Sequence, residues 1–330
     1  MTDDGTLDVD GINADALAAA GGVAPYLRRT AVEYSAAASH TVGAEVWLKH
    51  EQQQVTGSFK PRGSLTKLTA MTQPERVRGV VAPSAGNHGL GTAYAAARMG
   101  ATARIYLPEQ TDPIKLTALS NLGARVSMFE DIETARLAAL FDADKHGWAY
   151  ASAYNDRHMV IGAAMLGGEL AEELPDFDVL LVPIGGGGLA AGIAVALAGL
   201  RTQVWAVATE ESPTWINWLK AGHAGDVTLA PSIAEGLSGP IEPNTLTFPL
   251  VRDLVPRVLG VDDAQIGHAV AWLAATHQQI VEPSGAAALA AALSAPEELA
   301  GARVGVILTG RNIGFDRYRA LLARHPTPTA

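Results

Sequence analysis

The sequence predicts an α/β protein of two lobes with a ligand site between them, and three observations predict it. Short apolar strand patterns alternate with Ala-rich helical patterns between Gly79 and Phe129. The same alternation restarts at Val179. Gly-rich turns fall where strands end and helices begin, the edge at which open α/β sheets bind ligands.

In chain order, the first dozen residues read as a loose tail, and Ala14 to Ala20 as a short helix running into a Gly-Gly loop. Val46-Trp47-Leu48 reads as a strand leading to the turn Gly57-Ser58-Phe59-Lys60. Gly79 to Ala82 is a strand centred on two β-branched residues, Gly89 to Met99 a helix, and Ala103 to Leu107 a strand. Asp112 to Leu122 is a helix and Val126 to Phe129 a strand. After the restart come strand Val179 to Pro183, a glycine run, helix Leu189 to Ala198 and strand Val204 to Ala208. Val304 to Leu308 is a strand followed by Thr309-Gly310-Arg311-Asn312. Strands separated by helical segments imply parallel pairing through crossovers.

The 330 residues are ample for a sizeable core. Hydrophobic residues at 48% and charged residues at 18% argue against disorder. The formal net charge of -10 disfavours nucleic acid and anionic membranes as partners, since phosphate binding needs a basic footprint. Cysteine is absent, which excludes disulfides, zinc–thiolate sites and thiol catalysis. The start, MTDDGTLDVDG, is acidic and unlike a signal peptide. The apolar runs around Leu180 and Val304 are short and bounded by Gly, so they read as buried strands and not as membrane spans. A soluble cytoplasmic protein is the expectation.

Four segments carry the chemistry. In Thr56 to Gly63, Phe59 and Pro61 place apolar bulk beside Lys60. A lysine amine used as a nucleophile must be held on a short turn and desolvated so that it can be neutral. In Ser84-Ala85-Gly86-Asn87-His88-Gly89, backbone N–H groups at a helix N-terminus would bind an anion such as a carboxylate. A capped helix start, with Ser84 or Asn87 as N-cap, explains the same residues equally well. Gly185-Gly186-Gly187-Gly188 lets the backbone approach a phosphate closely. The run lacks dinucleotide spacing, and no Gly-Lys-Ser follows it; a flexible loop is the alternative. Thr309 ends a strand, where a hydroxyl can meet a ring nitrogen from the side; an ordinary turn after an edge strand is the alternative.

Together and in this order, these segments resemble the fold-type II pyridoxal-phosphate (PLP) enzymes, specifically the serine/threonine dehydratase and serine racemase group. The resemblance runs from roughly Ala14 to Arg319 and includes Lys49-His50-Glu51, Pro113-Ile114-Lys115, Ala153 to Asp156, Ile233 to Leu237 and Glu282 to Gly285. It implies a two-lobed, tryptophan-synthase-β-like fold, with parallel sheets and helices on both faces. Residues 1–55 and 156–330 would form a large PLP-binding domain and 56–155 a small α/β domain. It implies PLP as cofactor, Lys60 as the Schiff-base lysine and Phe59 beside the ring. Asn87 would partner the ring hydroxyl, Gly185, Gly186, Gly187 and Gly188 the phosphate, and Thr309 the pyridine nitrogen. Ser84, Ala85, Gly86, Asn87 and His88 would cradle the substrate carboxylate. The implied activity is β-elimination of a 3-hydroxy amino acid such as threonine or serine to a 2-oxo acid and ammonia, with Lys60 as general base. A neutral hydroxyl at the ring nitrogen weakens the electron sink and favours prompt loss of the β leaving group. Alternatives are β-replacement of the cysteine-synthase kind, a 3-hydroxyaspartate dehydratase, and a PLP-binding protein without catalysis. The resemblance also implies a homodimer acting on a small amino acid.

Departures from the group sharpen these expectations. Ala85 stands where racemases carry a serine, and a methyl moves no proton; losing such an acid/base group costs about 10²–10⁴-fold in rate, so elimination should greatly outrun racemisation. Ala208 stands where metal-binding relatives have Glu, with Glu210 two positions on, so no metal is expected. Ala163, Ala164 and Met165 replace Gln-Gly-Thr. If they border the β substituent, threonine or a bulkier analogue should be preferred to serine, with 3-hydroxyaspartate poor; otherwise they are packing beneath the cofactor. A preference for 3-hydroxyaspartate would point to a cation such as Arg311 or Arg157. Too few residues follow Asn312 for a compact regulatory domain, so allosteric feedback is not expected.

Overall fold

The computed structural model describes residues 8–84, 86–173, 177–242 and 244–325. Its strands are β1 (Val32–Tyr34), β2 (Glu45–Lys49), β3 (Val80–Pro83), β4 (Ala103–Pro108) and β5 (Arg125–Phe129), then β6 (Ala149–Tyr150), β7 (Val179–Pro183), β8 (Gln203–Thr209), β9 (Arg257–Val261) and β10 (Arg303–Ile307). They form a six-stranded sheet, β1-β2-β10-β7-β8-β9, and a four-stranded sheet, β5-β4-β3-β6. Pairing is parallel except between β1 and β2. The chain is therefore α/β with parallel sheets, as the alternation predicts.

Burial explains the strand sequences. All five residues of β7, Val-Leu-Leu-Val-Pro, are buried, the continuous apolar run expected of a strand covered on both faces. β10 pairs with β2 on one side and β7 on the other, which overturns the edge-strand alternative and puts Thr309 at the middle of the sheet's C-terminal edge. The helix Gly188–Ala196 packs on the helix Arg157–Glu173 through Gly192, where a Cβ would overlap Ala163 and Ala164.

The loose tail is corrected from Asp8 onward, residues 1–7 lying outside the described residues. A helix spans Val9–Val23, with the Asp8 carboxylate accepting the Gly11 N–H at 3.2 Å, and it continues through Gly21 and Gly22. Each interior glycine costs about 1 kcal/mol, but Ile12, Ala16 and Val23 are buried on one side and offset that cost. The ends of the other expected helices and strands agree within two residues, the usual ambiguity of fraying termini. No helix among the described residues is long and apolar enough to cross a membrane.

Candidate active site

A cavity of about 930 Å³ is lined by residues that follow β2, β3, β7 and β10. The lysine turn is stitched to the end of β10. The Phe59 N–H donates to the Thr309 carbonyl at 3.1 Å, and the Arg311 N–H to the Gly57 carbonyl at 2.9 Å. Thr56 is left-handed at φ 64, a rare state for a β-branched residue, and its carbonyl accepts the Asn312 side-chain amide at 2.7 Å.

Lys60 precedes Pro61, the first residue of the helix Pro61–Ala70. Its Nζ donates to the Ala153 carbonyl at 3.0 Å and lies 5.0 Å from the Phe59 ring centroid. Desolvation pulls its pKa from 10.5 to about 8, opposed by the Glu282 carboxylate. A far larger neutral fraction follows, as the apolar flanks predict. Burial in turn pushes Glu282 up to about 7, opposed by Asn87, whose Nδ2 donates to Glu282 Oε1 at 2.5 Å. Asn312 Nδ2 also donates to Asn87 Oδ1, at 2.6 Å. Thr56, Asn312, Asn87 and Glu282 thus form one hydrogen-bonded chain linking the lysine turn to the helix after β3.

That helix, Asn87–Met99, has Gly86 as its N-cap, and Ser84 just before it accepts the N–H of Gly86 at 3.2 Å and of Gly89 at 3.1 Å on its Oγ. Neither Ser84 nor Asn87 is therefore the N-cap, although the Ser84 hydroxyl still serves the first turn. This does not exclude the anion reading, because the N–H groups of Asn87 and His88 keep no partner among the described residues. His88 Nε2 donates to the Ala151 carbonyl at 2.9 Å, and burial pulls the imidazole down to about 4, so it is neutral. Ala85 lies outside the described residues.

The four glycines join buried β7 to the helix Gly188–Ala196 and are packed closely against their neighbours, which argues against a flexible loop. A Cβ at Gly186 would overlap the Tyr154 ring, and Gly187 has φ 90. The N–H groups of Gly186, Gly187 and Gly188 have no partner among the described residues, an anion cradle at a helix start. Thr309 lines the same cavity, 5% exposed. A reactive lysine, a hydroxyl and a neutral N–H cradle around one cavity fit a flat aldehyde that carries a phosphate.

The apolar wall is only partly as expected. Ala163 lines the cavity beside Met159. Ala164 is buried behind Gly192, and the Met165 sulfur meets the Thr66 hydroxyl at 3.8 Å. Arg157, paired with Asp8 and Asp15, and the exposed Arg311 do not line the cavity. Lys115, Arg136 and Arg317 do, Arg136 paired with Glu133 and Arg317 with Glu235. Among the described residues, Glu210 included, no group of three His, Asp or Glu could hold a metal ion.

Comparison with known proteins gives the same picture. The profile of the family described as pyridoxal-phosphate dependent enzyme matches residues 23–310. An L-threonine ammonia-lyase of Thermotoga maritima is 38% identical over 290 residues, 87% of this chain and 72% of that protein. An L-threo-3-hydroxyaspartate ammonia-lyase of Saccharomyces cerevisiae is 31% identical, covering 94% of this chain and 95% of that protein. The solved structure of the processed form of threonine deaminase isoform 2 from Solanum lycopersicum superposes with a TM-score of 0.92 at 26% identity, covering 97% and 94% of the two chains. The chain belongs to the pyridoxal-phosphate dependent enzymes, in the fold-type II group of threonine deaminases and serine racemases.

Proposed function

We propose that this chain eliminates water from a 3-hydroxy amino acid and releases a 2-oxo acid and ammonia, with PLP attached at Lys60. The observation that carries the reading is a desolvated lysine in a cavity that also holds two N–H cradles, at Gly186 to Gly188 and at Asn87-His88. When bound, PLP supplies an aldehyde that holds the substrate amine and a conjugated ring that draws electrons from Cα. The glycine loop would hold the phosphate, Phe59 would lie beside the ring, Asn87 would meet the ring hydroxyl and Thr309 the ring nitrogen. The loop from Ser84 to His88, Ala85 and Gly86 included, receives the substrate carboxylate. The Lys60 amine would take the Cα proton as general base. Residues 56–155 form the small domain of this reading, and 1–55 with 156–330 the large one. A cytoplasmic homodimer completes it, tested by sedimentation and cell fractionation.

The pH dependence of cofactor attachment tests the role of Glu282. Attachment needs the neutral amine, so its rate should rise with pH through about 8. Glu282⁻ raises the Lys60 value, so Glu282→Gln should move that midpoint to lower pH. An unmoved or raised midpoint, read from the growth of visible absorbance, counts against the assignment.

For substrate choice, the Met159–Ala163 wall favours threonine or a bulkier 3-hydroxy amino acid, in line with the Thermotoga relative's name. A second reading, 3-hydroxyaspartate, is favoured by Lys115, Arg136 and Arg317 at the cavity and by the yeast relative's name. Comparing kcat/KM for serine, threonine, 3-hydroxyaspartate and a 3-phenyl analogue decides between them. Threonine is expected to lead. Should 3-hydroxyaspartate lead and Arg136→Met depress that substrate alone, the second reading replaces the first. Chiral analysis of residual serine should show D isomer forming far more slowly than pyruvate, and Ala85→Ser should narrow the gap.

A further inference from the structure

We infer that Trp215 and Thr247 are positioning residues that aim the N–H groups of the glycine loop and thereby set affinity for the phosphate of the cofactor. This rests on the reading that the phosphate of PLP sits on that loop. Trp215 Nε1 donates to the Gly185 carbonyl at 2.5 Å, and Thr247 Oγ1 donates to the Gly186 carbonyl at 2.8 Å. These partners lie 30 and 61 residues away in sequence.

A peptide group is planar and trans, so its N–H points opposite to its C=O. Holding the carbonyls of Gly185 and Gly186 toward the Trp215–Thr247 wall turns the N–H groups of Gly186 and Gly187 away from it, into the cavity that the loop lines. Glycine is the residue least able to resist a peptide flip, and a flipped unit would turn a carbonyl dipole toward the phosphate. A Cβ on Gly187 would meet both the Trp215 ring and Thr247, so the wall is in direct contact with the loop.

The wall itself is buried and densely packed. Trp215 is 1% and Thr247 0% exposed. Trp215 stacks on Phe248 at 6.4 Å and meets Trp218 edge-on at 5.6 Å. Thr247 Oγ1 also lies 2.9 Å from Thr245 Oγ1.

The test titrates apoprotein with PLP and with pyridoxal, which lacks the phosphate, for wild type, Trp215→Phe, Thr247→Val and Thr247→Ser. Loss of one such hydrogen bond should raise the Kd for PLP about 5–10-fold in Trp215→Phe and Thr247→Val. Pyridoxal affinity should stay within about twofold, and Thr247→Ser should restore PLP binding. Unchanged PLP affinity overturns the inference, and so does an equal loss for both ligands, which would mark general packing. Thr247→Val and Thr247→Ser differ in the hydroxyl, so they decide the matter even where Trp215→Phe does not fold. Wild-type protein that binds no PLP would overturn the functional reading itself, a different outcome from tight wild-type binding with unaltered variants.

Discussion

Replacing Lys60 with alanine is expected to abolish turnover and to leave a purified protein without visible absorbance. The residue would serve twice, as the attachment point and as the base at Cα. A misplaced or missing general base alone costs about 10²–10⁴-fold, and loss of the covalent anchor adds to that. Borohydride reduction followed by peptide mapping should place the label on the Phe59-Lys60-Pro61 peptide. The other lysines near the site are poor rivals for a physical reason. Lys49 is ion-paired with Glu173 at 2.8 Å and Lys67 with Asp156 at 2.6 Å, so both amines are already engaged by carboxylates. Lys115 lines the cavity and is the one to watch: a label there would sink the assignment of Lys60.

The largest loss of stability is expected from Glu51→Gln. Arg62 and Glu51 are both fully buried. Arg62 Nε and Nη2 donate to Glu51 at 2.8 and 2.9 Å, and Nη1 and Nη2 to Glu169, each at 2.8 Å. Glu51 also accepts the Thr30 hydroxyl at 2.5 Å. The guanidinium sits two residues past Lys60, in the first turn of Pro61–Ala70, and ties that helix both to the end of β2 and to Arg157–Glu173. Removing one partner of a buried ion pair costs up to about 3–5 kcal/mol, because the other charge stays buried. Glu169 still pairs with Arg62, so Glu51→Gln should fall toward the lower end of that range. Denaturant unfolding of the apoprotein should show that deficit, whereas Glu172→Gln, at the exposed Arg29–Glu172 pair, should cost under about 1 kcal/mol. Burial alone would push the Glu51 carboxyl up, but Arg62 and Thr30 outweigh it and hold the pKa below 4.5. Its contribution is therefore fully present above that pH and fades as pH falls through the lowered value. A deficit below about 1 kcal/mol at neutral pH would show that the pair does not anchor the helix.

Local signals made the frame legible. Apolar runs such as β7 and the glycine and lysine turns declare themselves in a few residues, because strand burial and tight turns are short-range demands on sequence. What was hidden depends on contacts distant in the chain. Glu282 was visible as part of a motif, but its hydrogen bond to Asn87 spans 195 positions. Trp215 and Thr247 carry no local mark of their contact with the glycine loop. Arg136 reads as an ordinary charge on an exposed helix, and only the fold turns it into the cavity. The wall at Ala163 to Met165 was half legible: the helical period places one of three neighbours toward the ligand and the others into packing. The helix expected over Ala14 to Ala20 extends through Gly21-Gly22 to Val23 because tertiary burial overrides a local breaker.

The most direct measurement incubates the holoenzyme with L-threonine or L-serine and no second nucleophile, following substrate, 2-oxo acid and ammonia together. Substrate loss matched by equimolar 2-oxo acid and ammonia is the predicted result. Consumption that requires an added thiol, or substrate that only racemises, would contradict it.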